Sequence, residues 1–350
     1  MGEERMKVMV VDDSAFVRKI LSDIIRSDSE MELVGTARNG EDALRKIPKL
    51  KPDVITLDIE MPKLNGLETL KIIMEQQPLP VIMVSSHTKK DSKITIEALS
   101  AGAVDFVTKP SLLKEESIEE IKRLLPLKIK AAAAAHLAPY KSLILPRAEM
   151  DRTQSKRLAT KVVAIGASTG GPYALERVLR GLPSHLQAAV LITQHMPAGF
   201  TGLLSKRLDR ISPLRVKEAG NGESILENKA YIAPGDFHLR VARDGTVLLS
   251  SAAPVNYVRP SVDVMMDSVA EVFGSSVVGV VLTGMGRDGA EGMAKIKEKG
   301  GKTIVQDPKT AVISGMPQAV IKKGSADVVV PLEEVAAAVF CELKKKDGQS

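Results

Sequence analysis

The sequence has no tryptophan, a single cysteine (Cys341) and an aromatic content of only 3%. So few flat rings leave no platform on which successive bases could stack, which argues against binding of single-stranded nucleic acid. One cysteine permits neither an intrachain disulfide nor a cysteine-based metal cluster, and it agrees with a reducing compartment. No apolar run approaches the roughly 18 residues of a membrane-spanning helix. The start, Met1-Gly2-Glu3-Glu4-Arg5, lacks the basic and apolar regions of a signal peptide, so a cytoplasmic location is expected. What is present is apolar material, 44% of 350 residues, enough for two cores, and a chain of this length is expected to form two domains.

The net charge of +6 is unevenly placed. Lys and Arg number 19 against 22 Asp and Glu in residues 1–123, 7 against 2 in 124–159, and 23 against 19 in 160–350. No helix-turn-helix, finger or basic-region pattern accompanies the basic surplus, so no nucleic-acid partner is expected; an acidic protein partner and a merely solvated surface are both compatible with it.

The stretch VVAIGASTGGP, Val162 to Pro172, organises the second half. Four consecutive apolar residues predict a buried parallel strand, and Gly166, Gly170 and Gly171 predict a tight turn into a helix. Gly166-Ala167-Ser168-Thr169-Gly170 fits the nucleophile-elbow pattern G-x-S-x-G, although glycines after a strand also cradle phosphates or only turn the chain. The next strand, 189–193, ends in Gln194-His195-Met196-Pro197, which sets His195 at the same sheet edge as Ser168 if the sheet is parallel. Lys229 to Ala233 and a hairpin of HLRVAR and TVLLSS about Asp244-Gly245, expected as a type I′ turn, give the middle an antiparallel character. A helix from Arg259-Pro260-Ser261 to about Phe273 carries Met265 and Met266 as core filling. A third buried strand, 277–282, runs into Thr283-Gly284-Met285-Gly286-Arg287-Asp288-Gly289, where Asp288 either caps the next helix or orients a base. Ser168, His195 and Asp288 at three strand ends would supply a nucleophile, a base and a carboxylate, in a chain order unlike that of the α/β-hydrolases. Strands at 302–306 and 326–330 close the sheet, and a final helix, 332–343, buries Val335 and Val339, with Cys341 a further candidate for its inner face.

The first half alternates strands at 7–11, 33–37, 53–58, 81–85 and 105–108 with helices from 15 and at 40–47, 66–75, 94–101 and 118–125, a doubly wound parallel sheet. Asp12, Asp13, Asp58, Ser85 and Lys109 fall at strand ends. Three carboxylates there make a hard-oxygen pocket suited to Mg2+, beside a lysine able to neutralise a phosphoryl oxygen, and an aspartate can itself accept phosphate. Capping of the following helix is the alternative for Asp12 and Asp13. Between the two halves, alanines 131–135, prolines 139 and 146 and a basic run, 147–157, read as a linker over 124–159 whose alanines could extend the preceding helix.

On the motifs VVDDSAFVR, LDIEMPKLNG, VIMVSS and GAVDFVTKP, residues 6–123 resemble a response-regulator receiver domain. The resemblance implies Mg2+ held by Asp12, Asp13, Asp58 and the backbone carbonyl of Glu60, and phosphorylation of Asp58 by a histidine kinase. It places Ser85 as the switch hydroxyl, Phe106 as the coupled aromatic and Lys109 as the phosphate-reading lysine; phenylalanine at 106 lacks the hydrogen bond a tyrosine could make. On IGASTGGP, QHMP, APGDFHL, RPSVD and LTGMGRDGAEGM, residues 160–345 resemble the catalytic domain of chemotaxis protein-glutamate methylesterases. That resemblance implies Ser168 as nucleophile, His195 as base and Asp288 as its partner. It places the Met285 amide in an oxyanion hole and Thr169 beside the nucleophile, and it implies no cofactor in this domain.

The expected architecture is therefore α/β: a flavodoxin-like receiver followed by a Rossmann-like catalytic domain with an antiparallel hairpin. The expected function is phosphorylation-activated demethylation of glutamyl methyl esters, and deamidation of glutamines, on chemotaxis receptors by a monomer. A phosphorylation-controlled binding protein and a small-molecule esterase under receiver control are the competing classes.

Overall fold

The computed structural model describes residues 5–86, 88–110, 115–135 and 155–345. The chain divides into two compact units, one ending at Ser142 and the other starting at Leu143. Prolines 139 and 146 and most of the basic run expected as linker lie outside the described residues. No helix among the described residues is long and apolar enough to cross a membrane.

The first unit runs β1 (Met6–Val11), α1 (Ala15–Ser27), β2 (Met31–Ala37), α2 (Gly40–Leu50), β3 (Val54–Asp58), α3 (Gly66–Gln76), β4 (Val81–Ser85), α4 (Lys89–Ser100), β5 (Asp105–Thr108) and α5 (Glu115–Ala133). Its strands form one parallel sheet in the order β2-β1-β3-β4-β5. β3 and β4 are buried end to end and apolar apart from Thr56 and their closing residues Asp58 and Ser85, without the alternation of a half-exposed strand. Side chains of Ser14, Asn39, Asn65 and Thr88 cap α1 to α4. The Thr88 cap starts α4 several residues before the expected 94. α5 continues through the alanines to Ala133, with Leu125, Ile129 and Ala132 fully buried along one face, so residues 124–133 of the expected linker are helix.

The second unit runs β6 (Val162–Ala167), α6 (Gly171–Gly181), β7 (Ala189–Gln194), α7 (Phe200–Ile211), β8 (Arg215–Glu218), β9 (Lys229–Ile232), β10 (His238–Val241), β11 (Val247–Ser250), α8 (Val262–Phe273), β12 (Val277–Val281), α9 (Ala290–Glu298), β13 (Lys302–Gln306), α10 (Gly315–Lys322), β14 (Val328–Val330) and α11 (Val335–Lys345). Seven strands make a parallel sheet in the order β14-β13-β12-β6-β7-β9-β8, and β10 with β11 forms a separate antiparallel hairpin. The middle of this unit is thus less antiparallel than expected. β8 escapes detection because it is a short edge strand, RVKE, with only Val216 buried. The hairpin turn is not type I′: only Gly245 is left-handed (φ 78°), and its amide donates to Ala242 O at 2.9 Å, as in a three-residue loop with glycine in the left-handed position. Met265 and Met266 are fully buried, whereas Cys341 is exposed, off the stripe that buries Val335 and Val339.

In both sheets the chain leaves one central strand to opposite sides, β1 towards β2 and β3, β6 towards β7 and β12. Ligand crevices of such sheets open at the carboxyl ends of these strand pairs.

Candidate functional site

Ser168 follows the last residue of β6. The turn beneath it needs glycine twice: Gly170 is left-handed (φ 77°), and a Cβ on Gly166 would lie 2.3 Å from Val262. The Ser168 amide donates to Thr283 O (3.0 Å), across the gap between β6 and the segment after β12, and Ser168 O accepts the Gly171 amide (2.8 Å). β7 pairs with β6 in the register Ala167↔Gln194, so His195 emerges beside Ser168, its amide on Ala167 O at 3.1 Å. The parallel sheet thus brings the two residues to one edge.

His195 Nε2 lies 2.8 Å from Asp288 Oδ2, with the two side chains 11% and 3% exposed. Asp288 does not cap the helix it precedes. Its Oδ2 accepts the Val262 amide (2.7 Å), and its Oδ1 accepts Ser261 Oγ (2.8 Å), the Asp263 amide (3.1 Å) and Asn256 Nδ2 (3.3 Å), so it caps α8 instead. α9 is capped by Asp263, whose Oδ1 accepts the amides of Gly289 and Gly292, both at 2.8 Å. Burial works to raise the Asp288 pKa, but the hydrogen bond and charge of His195 and the α8 amides outweigh it and hold the carboxyl below its ordinary 3.8. Asp263 is pushed up to about 6, by burial first and also by the Asp288 charge, against the pull of the Gly292 and Gly289 amides.

In the neutral imidazole, an Nε2–H donated to the Asp288 carboxylate leaves Nδ1 as an acceptor, the form a general base needs; in the imidazolium the same contact is charge-assisted. Thr169 is buried, and its carbonyl accepts Thr283 Oγ1 at 2.9 Å. The amides of Met285 and Gly286 carry no hydrogen bond within the described residues, as donors to a developing oxyanion must. Sequence reasoning passed over Gln194, Asn256, Ser261 and Asp263 as parts of this site. Gln194 Nε2 donates to Ser168 O (2.9 Å) and His195 O (3.3 Å), while its Oε1 is buried without a partner among the described residues. The signal available was a polar residue closing the apolar strand AVLITQ.

At the other crevice, carboxylate oxygens of Asp12, Asp13 and Asp58 all lie within 4.8 Å of one another. Ser14, not an aspartate, caps α1 by accepting Val17 N, which leaves the carboxylates uncommitted to that helix. Lys109 Nζ stands 2.7 Å from Asp58 Oδ2 and 3.5 Å from Asp12 Oδ2; apart from this ammonium both oxygens are buried with no hydrogen-bond partner among the described residues. Burial first, and then the Asp12 charge, pushes Asp58 up to about 7, and burial also raises Asp12. Crowded hard oxygens with unspent lone pairs fit a small divalent cation such as Mg2+. Burial opposes the charge of Lys109, yet Asp58 and Asp12 hold its pKa above the ordinary value. Ser85 Oγ is buried, accepting Thr95 Oγ1 (2.7 Å) and donating to Ser86 O (3.1 Å), while Phe106 is buried beneath Lys128, 5.3 Å from its ring centre. Glu60 hydrogen-bonds Asp58 through its amide (3.3 Å) and pairs with Lys90 through its side chain (2.6 Å).

Residues 163–339 match the family described as CheB methylesterase, and residues 8–122 match the response regulator receiver domain. The chain belongs to the CheB methylesterase family. Its relatives include the protein-glutamate methylesterase/protein-glutamine glutaminase of Pyrococcus horikoshii, 48% identical over 344 residues that cover 96% of this chain and 93% of that protein. The protein of the same description from Thermotoga maritima is 45% identical over 338 residues, 96% of this chain and 98% of that one. The crystal structure of the Thermotoga maritima CheB methylesterase catalytic domain superposes with a TM-score of 0.50 at 44% identity, covering 51% of this chain and 97% of that one.

Proposed function

We propose that this member of the family is a phosphorylation-activated protein-glutamate methylesterase and protein-glutamine glutaminase, with Ser168 as nucleophile, His195 as general base and Asp288 as the carboxylate that orients it. The activity follows from family membership. The assignment of roles is carried by the 2.8 Å contact of His195 Nε2 with Asp288 Oδ2 beside Ser168 at the β6/β12 crevice.

His195 Nδ1 takes the proton of Ser168 Oγ as that oxygen attacks the γ-carbonyl of a methylated glutamyl side chain. The Met285 amide donates to the oxyanion, and Thr169 stands beside the nucleophile. The imidazolium returns the proton to the departing methoxide, giving methanol. Water, deprotonated by His195 in turn, then releases Ser168 and a free glutamate. A glutamine follows the same course with ammonia leaving.

In the first unit Asp12, Asp13, Asp58 and the Glu60 carbonyl are the residues that would hold Mg2+, which when bound neutralises charge on the carboxylates and an incoming phosphoryl group. Asp58 accepts the phosphoryl group from a chemotaxis histidine kinase, Lys109 pairs with its oxygens, and Ser85 and Phe106 respond to it. Phosphorylation shifts the population from an arrangement in which the receiver restrains the catalytic unit to an active one. The substrates are methyl-accepting chemotaxis receptors, met from the cytoplasm by a monomer.

The test is methanol release from methylated receptor membranes, with and without acetyl phosphate and Mg2+. Release by the intact chain, stimulated by the phosphodonor and abolished by Ser168→Ala, is expected; release undiminished in Ser168→Ala rules the mechanism out. A fragment starting near Arg157 is expected to be faster than the unphosphorylated whole, and equal rates would refute the restraint.

A further inference from the structure

Val255 and Val258 exchange backbone hydrogen bonds (3.1 and 3.0 Å) across a two-residue turn in which both central residues are left-handed, Asn256 at φ 52° and Tyr257 at φ 65°. A turn of this type favours asparagine followed by glycine. Asn256 meets the first preference. Tyr257 violates the second, because a bulky side chain in the left-handed region crowds its own backbone.

Packing does not repay that strain. Tyr257 is 91% exposed, while no other large apolar side chain among the described residues exceeds 59%. The turn is tied to the catalytic carboxylate: Asn256 Nδ2 donates to Asp288 Oδ1 (3.3 Å) and to Asp263 Oδ2 (3.0 Å). A second exposed aromatic, Phe237 (41%), rides on a loop whose Gly235 abuts the backbone of Pro197 and Ala198, just after His195. In a chain with four tyrosines and six phenylalanines, two solvent-facing rings thus stand on segments anchored to Asp288 and next to His195.

We propose that Tyr257 is a substrate-gripping residue, its ring lying against the receptor helix beside the methylated glutamate, with Phe237 as a second point of contact. The inference rests on the methylesterase reading above. Tyrosine offers a large, stiff, amphipathic face at low entropic cost, which suits a residue that must stay exposed until substrate arrives. A strained residue kept where glycine would serve the fold better marks a position held for function.

The test is Tyr257→Gly in the full chain, which creates the favoured Asn-Gly turn. Its second unit is expected to melt at a higher temperature. Labelling of Ser168 by a small fluorophosphonate is expected at the wild-type rate, and KM for methylated receptor membranes is expected to rise about fivefold with little change in kcat. Tyr257→Phe, which keeps the ring, is expected to keep the wild-type KM. An unchanged KM in Tyr257→Gly overturns the proposal. So does slower labelling, which would make the turn a support of the catalytic site, or a changed response to phosphodonor at constant KM, which would make it a contact for the receiver. Absence of methanol release by the wild type overturns the functional reading and this inference together.

Discussion

Asp288 accepts the amides of Val262 and Asp263 at the start of α8, and Asp263, within that same first turn, accepts the amides of Gly289 and Gly292 at the start of α9. Each carboxylate caps the helix on which, or next to which, the other stands. The exchange ties the start of α8 to the start of α9, and the remaining donors to Asp288, Ser261 Oγ, Asn256 Nδ2 and His195 Nε2, complete a five-fold set. In the proposed mechanism a carboxylate so held needs no reorganisation when its histidine partner acts as the base.

Asp288→Asn is therefore expected to damage both catalysis and folding. An asparagine has one acceptor oxygen for five donors and turns its own NH2 towards groups that also donate. Methanol release is expected to fall about a thousandfold or more, and urea unfolding of the second unit to lose about 2–4 kcal/mol. Ser168→Ala, by contrast, is expected to lose activity alone. An Asp288→Asn protein with wild-type unfolding would break the link between the cap and the triad.

The opposed shifts of the two aspartates predict a pH signature. Asp263 has its pKa raised to about 6, so between about pH 4 and 6 the folded chain keeps a proton that the unfolded chain has released. Its contribution to stability is present at the acid end of that window and is lost as pH rises through it. Asp288 has its pKa lowered, so its contribution is present above its ordinary value and is lost as pH falls below it. Asp263→Asn removes the first effect. The stability of the wild type relative to this variant, measured by urea unfolding, is expected to decline from pH 4 to 6.5; parallel curves would refute the assignment.

The parallel sheets and the two candidate sites were legible because their groups stand at the ends of apolar strands: Asp58 closes VITLD, Ser168 follows VVAIGA and His195 follows AVLITQ. Strand ends in such folds converge on one edge whatever the intervening loops do. The exchange of caps was not legible, since an aspartate before a helix ordinarily caps that helix, and only the packing of α8 against α9 lets Asp288 reach the other one. β8 was missed because an edge strand needs only one buried side chain. The Asp244-Gly245 turn was misread because the dipeptide serves both hairpin loops, and one extra residue decides between them.

Gln194 joins Ser168 to His195 through a single amide, with its Nε2 on the carbonyls of both. The opposite rotamer would set its oxygen against both. Gln194→Met keeps the volume, drops the link and removes the unpartnered buried Oε1, so stability is expected to change little while kcat falls about ten- to a hundredfold at constant KM. Gln194→Glu, which presents an oxygen to the two carbonyls, is expected to be worse in both respects. Wild-type kcat in Gln194→Met would show that the strands alone set the geometry.

The same pairing of geometry and charge predicts how the proposed Mg2+ site of the receiver responds to pH. Asp58 must be ionised to share a cation with Asp12 and Asp13, yet burial and the Asp12 charge lift its pKa to about 7. Protons therefore compete with Mg2+ through the neutral range, and the apparent affinity is expected to fall by up to about tenfold per pH unit below 7. Above that pH the ion relieves repulsion among carboxylates that the Lys109 ammonium offsets in part. The rise in melting temperature of the first unit on adding Mg2+ is accordingly expected to be larger at pH 8 than at pH 6, and to shrink in Asp13→Asn and Asp58→Asn. Equal shifts at the two pH values would mean that Asp58 does not ligate the ion, and equal shifts in all three proteins would place the ion elsewhere.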